Sequence, residues 1–411
     1  MKKEVVVTGL GFVSPIGQSA AEVLDHLLAV RSGISLWSAD GFTKTFPAGI
    51  VRGDFDDHFE KKDLPYLDRI TKMSVAAAEQ ALADAGLPRG LDEPGPRAGI
   101  FAGTVSGGAE TQTQWLRDFS AGGKQTARPF TLMAGMHNAP AAWISIRHRI
   151  VGPVITHTSA CSSSGAAIGD ALRWIRNGDL DLAIAGGCEA TLNAPVMGAW
   201  DGLRALARPD TEDVGRSCRP FSRSRSGLVL AEGAVFFVLE SAEHAAARGA
   251  RVHATLSGYG IACDAYHVGA PHSRGQTAAI TAALRDAGLR PSDLSYINAH
   301  ATATATGDPV EVSSIRGALG DAADEIPVSS TKAQHGHMLG AASAMELAVC
   351  VLAIEHGFLP ATAFLEEIDP ACTLRHVPMV AERGVQIRHT LSLSAGFGGT
   401  NVALVASRKI D

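Results

Sequence analysis

Residues 154–170 read VITHTSACSSSGAAIGD, and this stretch joins a strand pattern to a helix pattern. A β-branched strand stops at small residues, and a helix made largely of small residues starts directly after it. Cys161 therefore lies at a strand-to-helix junction, where the helix dipole and unpaired backbone N–H groups favour a thiolate. The same N–H groups can hold the oxyanion of a thioester formed at this sulfur. Taken alone, the stretch predicts either a nucleophile or a buried structural thiol.

Short β-branched runs alternate with alanine-rich stretches along the whole chain, which indicates an α/β fold. Several of the runs lack alternation and charge, as expected for a sheet covered by helices on both faces. We predict strands at Glu4–Thr8, Gly99–Phe101, Val154–Thr158, Asp181–Ala185, Ala234–Leu239, Val252–Gly258, Leu294–Asn298 and Leu391–Ser394. We predict helices at Lys72–Ala85, Ser162–Asn177, Gln276–Ala287, Asp308–Leu319 and Ala342–His356.

A weak internal repeat predicts two related layered halves. A strand ending in glycines (Val5–Gly11 and Leu256–Gly260) is followed in each half by a helix ending in Asp-Ala-Gly (Asp84–Gly86 and Asp286–Gly288). We place the halves at residues 1–250 and 251–411. The first carries the cysteine.

Composition excludes several classes of protein. The 411 residues are 46% hydrophobic and 19% charged, with a net charge of −6, which argues against disorder and against nucleic acid as the main partner. We see no apolar run near the roughly 18 residues of a membrane span and no room for a signal segment. The six cysteines show no CxxC spacing, so we expect reduced thiols in a cytoplasmic protein.

Two short motifs are set aside. Gly9 and Gly11 follow a strand as in a dinucleotide-binding loop, but the third glycine would fall at Ser14 and the helix would begin at Pro15. His335 and His337 could be read as a metal pair, yet no cysteine or acidic ligand lies near them in sequence. We therefore predict neither NAD nor a bound metal.

Two histidine segments complete the candidate site. His300 ends a strand, where ligands gather in α/β sheets, and the alternating Thr302 and Thr304 suit a long polar arm such as pantetheine. The segment from Lys332 to Glu346 supplies a histidine entering the site and a lysine and glutamate that could pair. A cysteine at a helix start with two such histidines indicates a thioester-handling enzyme.

With these motifs in order, the chain resembles the β-ketoacyl-acyl carrier protein synthases of the thiolase superfamily, of the elongating Cys-His-His type. The landmarks that carry the resemblance are residues 5–11, Ala160-Cys161-Ser-Ser, Ala185-Gly-Gly, Arg219-Pro-Phe221, Asp264-Ala-Tyr-His267, the His300 segment, Lys332 with the segment from His337, and the final Gly396–Asn401. The resemblance implies a thiolase-like layered αβαβα fold made of two related halves.

The resemblance also implies an activity and a set of roles. Cys161 would take an acyl group from the phosphopantetheine of a carrier protein, and His300 and His337 would stabilise the enolate formed when a malonyl group loses CO2. Lys332 with Glu346 would keep the site in order. No further cofactor is implied.

The resemblance assigns the remaining site residues as well. The N–H groups of Cys161 and Phe397 would form the oxyanion hole, and Phe397 would be a mobile gate beside the nucleophile. Thr302 and Thr304 would bind pantetheine.

Four residues depart from the family pattern. Ala301 and Ala303 stand where glycine or serine is common, and because Ala301 has a Cβ we expect a restricted backbone at this residue, beside His300. Ser226 replaces a usual aspartate, which puts a local salt bridge in doubt. Ser106 lies where a bulky residue limits acyl length, and its small side chain suggests a longer or polyene-like chain.

Carrier proteins are acidic, so a net acidic enzyme needs local basic docking residues. The candidates are Lys61, Lys62, Arg69, Lys72, Lys124, Arg128 and Arg204. The family is dimeric, which leaves open a homodimer or a heterodimer with a chain-length-factor subunit, in fatty-acid or polyketide biosynthesis.

Three competing functions are weighed. A non-catalytic chain-length factor would typically lack the active cysteine, and a thiolase would need a second cysteine near residues 396–401. An initiating synthase of the Cys-His-Asn type would need asparagine at His337. The residues favour an active elongating synthase.

Overall fold

The computed structural model describes residues 2–87, 97–122 and 126–409, so the docking candidate Lys124 lies outside the described residues. The strands are β1 (Val5–Val13), β2 (Ile34–Trp37), β3 (Phe46–Gly49), β4 (Ala98–Gly103), β5 (Val154–His157), β6 (Leu182–Glu189), β7 (Leu230–Ala231), β8 (Gly233–Ser241), β9 (Ala254–Cys263), β10 (Tyr296–Asn298), β11 (Val328–Ser329), β12 (Phe358–Leu359), β13 (Glu382–Arg383), β14 (His389–Ala395) and β15 (Thr400–Ser407). The α-helices are α1 (Ala20–Ala29), α2 (Arg69–Asp84), α3 (Ala109–Ser120), α4 (Thr131–Gly135), α5 (Ala139–His148), α6 (Ser163–Arg176), α7 (Ala194–Gly202), α8 (Ala242–Ala247), α9 (Ser273–Ala287), α10 (Gly307–Leu319), α11 (Lys332–His335) and α12 (Ala342–His356).

The main sheet has ten strands in the order β11-β10-β14-β15-β9-β1-β8-β6-β4-β5. Read from its outer edge inward, the first half has the order β5-β4-β6-β8-β1 and the second half β11-β10-β14-β15-β9. If the five strands of each half are numbered along the chain, both halves have the order 3-2-4-5-1. The halves meet at the antiparallel pair β1 and β9, where Val6 faces Thr255. The predicted fold of two related halves is therefore confirmed, while the boundary between residues 250 and 251 stays a prediction.

The repeated glycines let a helix lie directly on the first strand of each half. A Cβ at Gly11 would come within 1.8 Å of the Ala77 carbonyl oxygen on α2. A Cβ at Gly260 would come within 2.0 Å of the Ala279 carbonyl oxygen on α9. Only glycine permits these two close approaches, which explains why the strand glycines recur.

The repeated aspartates connect the end of each of these helices to the strand on which it packs. Asp84 accepts a hydrogen bond from the Leu10 N–H at 2.9 Å, and Asp286 accepts one from the Tyr259 N–H at 3.1 Å. The Asp-Ala-Gly repeat seen in the sequence thus corresponds to one tertiary contact made twice.

Helices α6 and α12 form the central layer between the halves. They contact each other and both groups of strands, whereas α2 and α5 cover one outer face and α9 and α10 the other. Leu339–His356 is 18 residues long with a mean hydropathy of 1.5, which meets the length and composition of a membrane span. Our expectation that no such run exists is therefore wrong. Because 89% of this segment is buried inside the protein, the same length and composition also fit a helix in the protein core.

The predicted elements all exist, with ends shifted by a few residues. We missed β15, the short strands β2, β3, β7, β11, β12 and β13, and most of the surface helices, including α1, α3, α5 and α7. Helix α3 exposes Trp115, Leu116 and Phe119, so its apolar residues do not mark a buried face. Hydrophobic periodicity identifies a helix best when one face is buried, which is why α3 was missed. Helices α1 and α5 do bury one side, but each has only ten residues, so the apolar pattern is short.

His253, at the start of β9, should make stability depend on pH. Burial opposes its protonation, but Asp84 at 2.9 Å and Glu355 at 3.0 Å outweigh burial and raise the pKa to about 9. A raised pKa stabilises the fold fully below the unfolded-state value of about 6.5, and this stabilisation is lost as pH rises through 9. We expect His253→Gln to lower the free energy of unfolding by about 3 kcal/mol at pH 6.

Urea unfolding at pH 6 and pH 10 measures this difference. The gap between wild type and variant should shrink strongly at pH 10, where the histidine is neutral in both states. An equal gap at both pH values would contradict the protonated His253.

Candidate active site

Cys161 lies at the predicted junction. Strand β5 ends at His157, Ala160 adopts a left-handed φ of +53°, and α6 begins at Ser163. A Cβ at Gly103 would lie 2.2 Å from the Ser164 nitrogen, so glycine at the end of β4 lets α6 begin close to the sheet. The thiol is buried, with 6% of the residue exposed.

The structure brings both predicted histidines to this thiol. His337 Nε2 lies 3.0 Å from Cys161 Sγ. The rings of His300 and His337 are 5.2 Å apart at 85°, and ligand atoms of all three residues lie within 4.8 Å of one another. Two imidazole edges and one sulfur therefore converge on a single point.

Lys332 and Glu346 form a fully buried ion pair behind the histidines. Lys332 Nζ also lies 3.3 Å from His300 Nδ1. Because an ammonium can only donate, Nδ1 must accept, which places the ring proton of neutral His300 on Nε2. Burial and the Lys332 charge lower the pKa of His300 and of His337 well below the usual value. Both rings are therefore neutral.

The resting state of the thiol differs from the expected thiolate. Burial raises the pKa of Cys161 to about 12, although Lys332 and the Phe397 N–H favour the thiolate. Desolvation outweighs the helix dipole here, because both sulfur and helix start are shielded from water. Cys161 is thus a thiol at rest, with His337 Nε2 beside it as a proton acceptor.

Sequence reasoning missed Glu311, which holds the backbone at His300. Its carboxylate accepts hydrogen bonds from the N–H groups of His300 and Ala301, both at 2.7 Å. Burial raises the Glu311 pKa to about 8. The signal was available, because Glu311 follows Asp308 by three residues, so both lie on one face of the predicted helix.

Phe397 lies at the mouth of the site. Its N–H is directed to the Cys161 sulfur, and its ring stacks on Trp200 with centroids 5.5 Å apart. The ring is 45% exposed, and Gly398 and Gly399 follow it at φ +83°. An exposed ring beside flexible glycines is compatible with the gate that the resemblance implies.

The threonine loop is compact. The hydroxyls of Thr302 and Thr304 are 3.3 Å apart, and Thr304 accepts a hydrogen bond from the Gly307 N–H. Backbone restriction was expected at Ala301, but the residue with a left-handed φ, of +64°, is Ala303. The strain in this loop therefore lies two residues further on.

Ser226 does not remove the local salt bridging. Arg225 pairs with Asp369 at 2.5 Å and lies 3.9 Å from Asp308, while also donating to the carbonyls of Thr304 and Ala305. Our doubt about this salt bridge was misplaced, since the aspartates come from other segments.

The docking candidates separate into two groups. Lys62 pairs with Glu60, Arg69 with Glu232 and Lys72 with Asp56, and the last two cations are largely buried. Lys61, Arg128 and Arg204 are exposed and have no ion pair within the part of the chain that the structure describes. Carrier docking stays a prediction, best supported for these three residues.

The metal alternative fits the residues poorly. His335 bonds the Gly336 carbonyl and Thr331, so it does not join His337 as a ligand. Cys161, His300 and His337 are close enough to hold an ion, but the Lys332 ammonium beside His300 opposes a divalent cation. That the site takes no metal stays a prediction.

Replacing Lys332 should destabilise the fold, because it leaves the buried Glu346 carboxylate without its partner cation. We expect Lys332→Met to lower the free energy of unfolding by about 3 kcal/mol at pH 8, as for a broken buried ion pair. The loss should be smaller at pH 6, because burial already raises the Glu346 pKa to about 7 and the carboxyl can protonate. The double variant Lys332→Met with Glu346→Gln should recover most of the loss in urea unfolding. A double variant as unstable as the single one would contradict this.

Ala303 and Ala301 form a matched pair for backbone strain. Ala303→Gly should raise the free energy of unfolding by about 1 kcal/mol, because it removes a left-handed alanine. Ala301→Gly, at an ordinary φ, should lower it by about 0.5–1 kcal/mol. Thermal and urea unfolding measure both. The same sign in both variants would argue against strain at Ala303.

Comparison with known families matches most of the chain. The family described as "Beta-ketoacyl synthase, N-terminal domain" matches residues 2–245, and "Beta-ketoacyl synthase, C-terminal domain" matches residues 253–366.

Individual relatives agree over the full length. The chain is 40% identical to Nodulation protein E of Rhizobium leguminosarum bv. trifolii and 37% identical to 3-oxoacyl-[acyl-carrier-protein] synthase 2 of Coxiella burnetii, covering 100% of both chains in each case. A solved structure titled the ishigamide ketosynthase/chain length factor has a TM-score of 0.90 at 33% identity and covers 100% of both chains.

Proposed function

Because the chain belongs to the β-ketoacyl synthase family, we propose that it is an elongating β-ketoacyl-acyl carrier protein synthase that uses Cys161 as nucleophile and His300 and His337 as the enolate-binding pair. The observation that carries the roles is the convergence of one thiol and two neutral imidazoles, with His337 Nε2 at 3.0 Å from the sulfur. The reaction is an acyl transfer followed by a decarboxylative Claisen condensation.

In the first step, the Cys161 sulfur attacks the carbonyl carbon of an acyl thioester. The thiol proton passes to His337 Nε2, and the backbone N–H groups of Cys161 and Phe397 hold the oxyanion. The carbon–sulfur bond to pantetheine then breaks, and the leaving thiolate takes the proton. The acyl group remains on Cys161.

In the second step, a malonyl thioester loses CO2. The bonding electrons become an enolate, whose oxygen accepts hydrogen bonds from the Nε2–H groups of His300 and His337. His337 carries its ring proton on Nε2 in this step and on Nδ1 in the first step, and its Nδ1 has no hydrogen-bond partner among the described residues that would fix either form. Neutral imidazoles are suited to this role because they donate to the developing charge without giving up a full proton. The enolate carbon attacks the acyl carbonyl and Cys161 leaves as thiolate, which takes a proton from water to return to the resting thiol. The chain is then longer by two carbons.

The reaction needs no bound cofactor, because the thioesters and the malonyl carboxylate supply the leaving groups. Thr302 and Thr304 provide hydroxyls for the amides of a pantetheine arm. We place the docking of an acidic carrier at Lys61, Arg128 and Arg204, in keeping with the relative named for an acyl-carrier-protein substrate.

A partner subunit is supported by exposed apolar residues. Leu132 and Met133 on α4 are 79% and 58% exposed, and Met136 follows them at 45%. The edge strand β5 starts at Val154, also exposed. We propose that a second subunit of this fold covers this face. Native mass spectrometry, alone and after co-expression with a chain-length-factor subunit, separates a homodimer from a heterodimer.

Acyl transfer to Cys161 tests the proposal directly. We expect wild type mixed with acyl-carrier protein substrates of several lengths to gain one acyl mass by intact-mass spectrometry. Cys161→Ala should gain none, because it lacks the nucleophile. Cys263→Ala is the matched control, since Cys263 is exposed and its sulfur contacts the Gly398 carbonyl rather than either histidine, and it should be acylated at Cys161 like wild type. An adduct that persists in Cys161→Ala would contradict the assignment.

A further inference from the structure

Glu189, the last residue of β6, is fully buried beside the site and has no part in the chemistry above. Its Oε2 accepts hydrogen bonds from the N–H groups of Val105 at 2.8 Å and Gly340 at 3.1 Å. Its Oε1 accepts one from the Ser106 N–H at 3.2 Å. One carboxylate thus joins the loop after β4 to the turn that follows His337.

The two joined segments touch closely at Gly340. A Cβ there would lie 2.7 Å from the Thr104 Cα and 2.8 Å from the Val105 nitrogen. The preceding residue, Leu339, adopts a left-handed φ of +44°. A strained leucine in this turn persists only where its surroundings hold it. The hydrogen bond that Glu189 accepts from the N–H of the next residue, Gly340, holds it here.

Both segments contribute side chains to the apolar cluster around the nucleophile. Leu339 and Val105 pack in the same cluster as Cys161, together with Met197 and Trp200. An acyl chain that extends from the Cys161 sulfur into this apolar cluster would pass between these side chains. The positions of the two segments would therefore limit the space beside the sulfur.

A carboxylate is the group that this position requires. Both of its oxygens accept, so it can serve three N–H donors from two segments at once. A glutamine would present its NH2 group to at least one of these donors and lose that bond. Burial raises the pKa of Glu189 to about 7.

We propose that Glu189 is a positioning residue that sets acyl-chain selectivity by clamping the loop at Val105 and Ser106 against the turn at Leu339 and Gly340. The inference rests on the proposed acyl transfer to Cys161. Loosening the clamp widens the space beside the sulfur, which favours long chains over short ones.

The test compares the rates of Cys161 acylation by butyryl and palmitoyl carrier protein in wild type, Glu189→Gln and Glu189→Asp. We expect the palmitoyl-to-butyryl ratio of kcat/KM to rise by roughly threefold or more in Glu189→Gln, as for the loss of one or two hydrogen bonds. The change should lie mainly in KM for palmitoyl substrate, because the reacting groups are untouched.

Glu240→Gln is the matched control, a buried carboxylate that pairs with Arg248 away from the site. It should lose stability and keep the wild-type ratio. Glu189→Asp retains the charge but is one methylene shorter, so it should show a smaller rise. It also serves as the second variant if Glu189→Gln does not fold.

A ratio that is unchanged or falls in a folded Glu189 variant overturns the inference, as does an equal loss for both chains. Wild type that takes up no acyl group would instead overturn the proposed function. The two failures are therefore distinguishable.

Discussion

The buried ammonium of Lys332 is the charge on which the active site depends. It pairs with Glu346 in a region that water does not reach, and it lies 3.3 Å from His300 Nδ1. From there it lowers the pKa of both histidines and favours the thiolate of Cys161. In a low-dielectric interior, one charge acts on all three groups because little solvent screens it.

The site lies at the contact between the two halves. Cys161 comes from the first half, and His300, Lys332 and His337 come from the second. The starts of α6 and α12 meet there, where Ser343 on α12 donates to the Cys161 carbonyl at 3.2 Å. The repeated strand-and-helix layout thus creates a junction that neither half contains alone, and the proposed reacting groups occupy it.

Local pattern predicted some features well and others poorly. The α/β alternation, the repeated Asp-Ala-Gly and the junction at Cys161 are short-range signals, and the structure agrees with each. Contacts of buried carboxylates with the backbone were missed, both the nearby contact of Glu311 with His300 and the long-range contact of Glu189 with the turn at Gly340. The expected thiolate was wrong because burial depends on the whole fold, and the missing aspartate at Ser226 proved harmless because Asp369 pairs with Arg225.

The sequence by itself determined the class of fold and the two halves, and it predicted the reacting side chains, because strand periodicity, glycine placement and motif order are local features of the sequence. Tertiary structure alone decided which groups are charged, which backbone is strained and which carboxylates hold the site. A pKa and a hydrogen bond depend on what lies within a few ångströms in space. Cys161 and His337, 176 positions apart in the chain, reach a separation of 3.0 Å only once the two halves are packed.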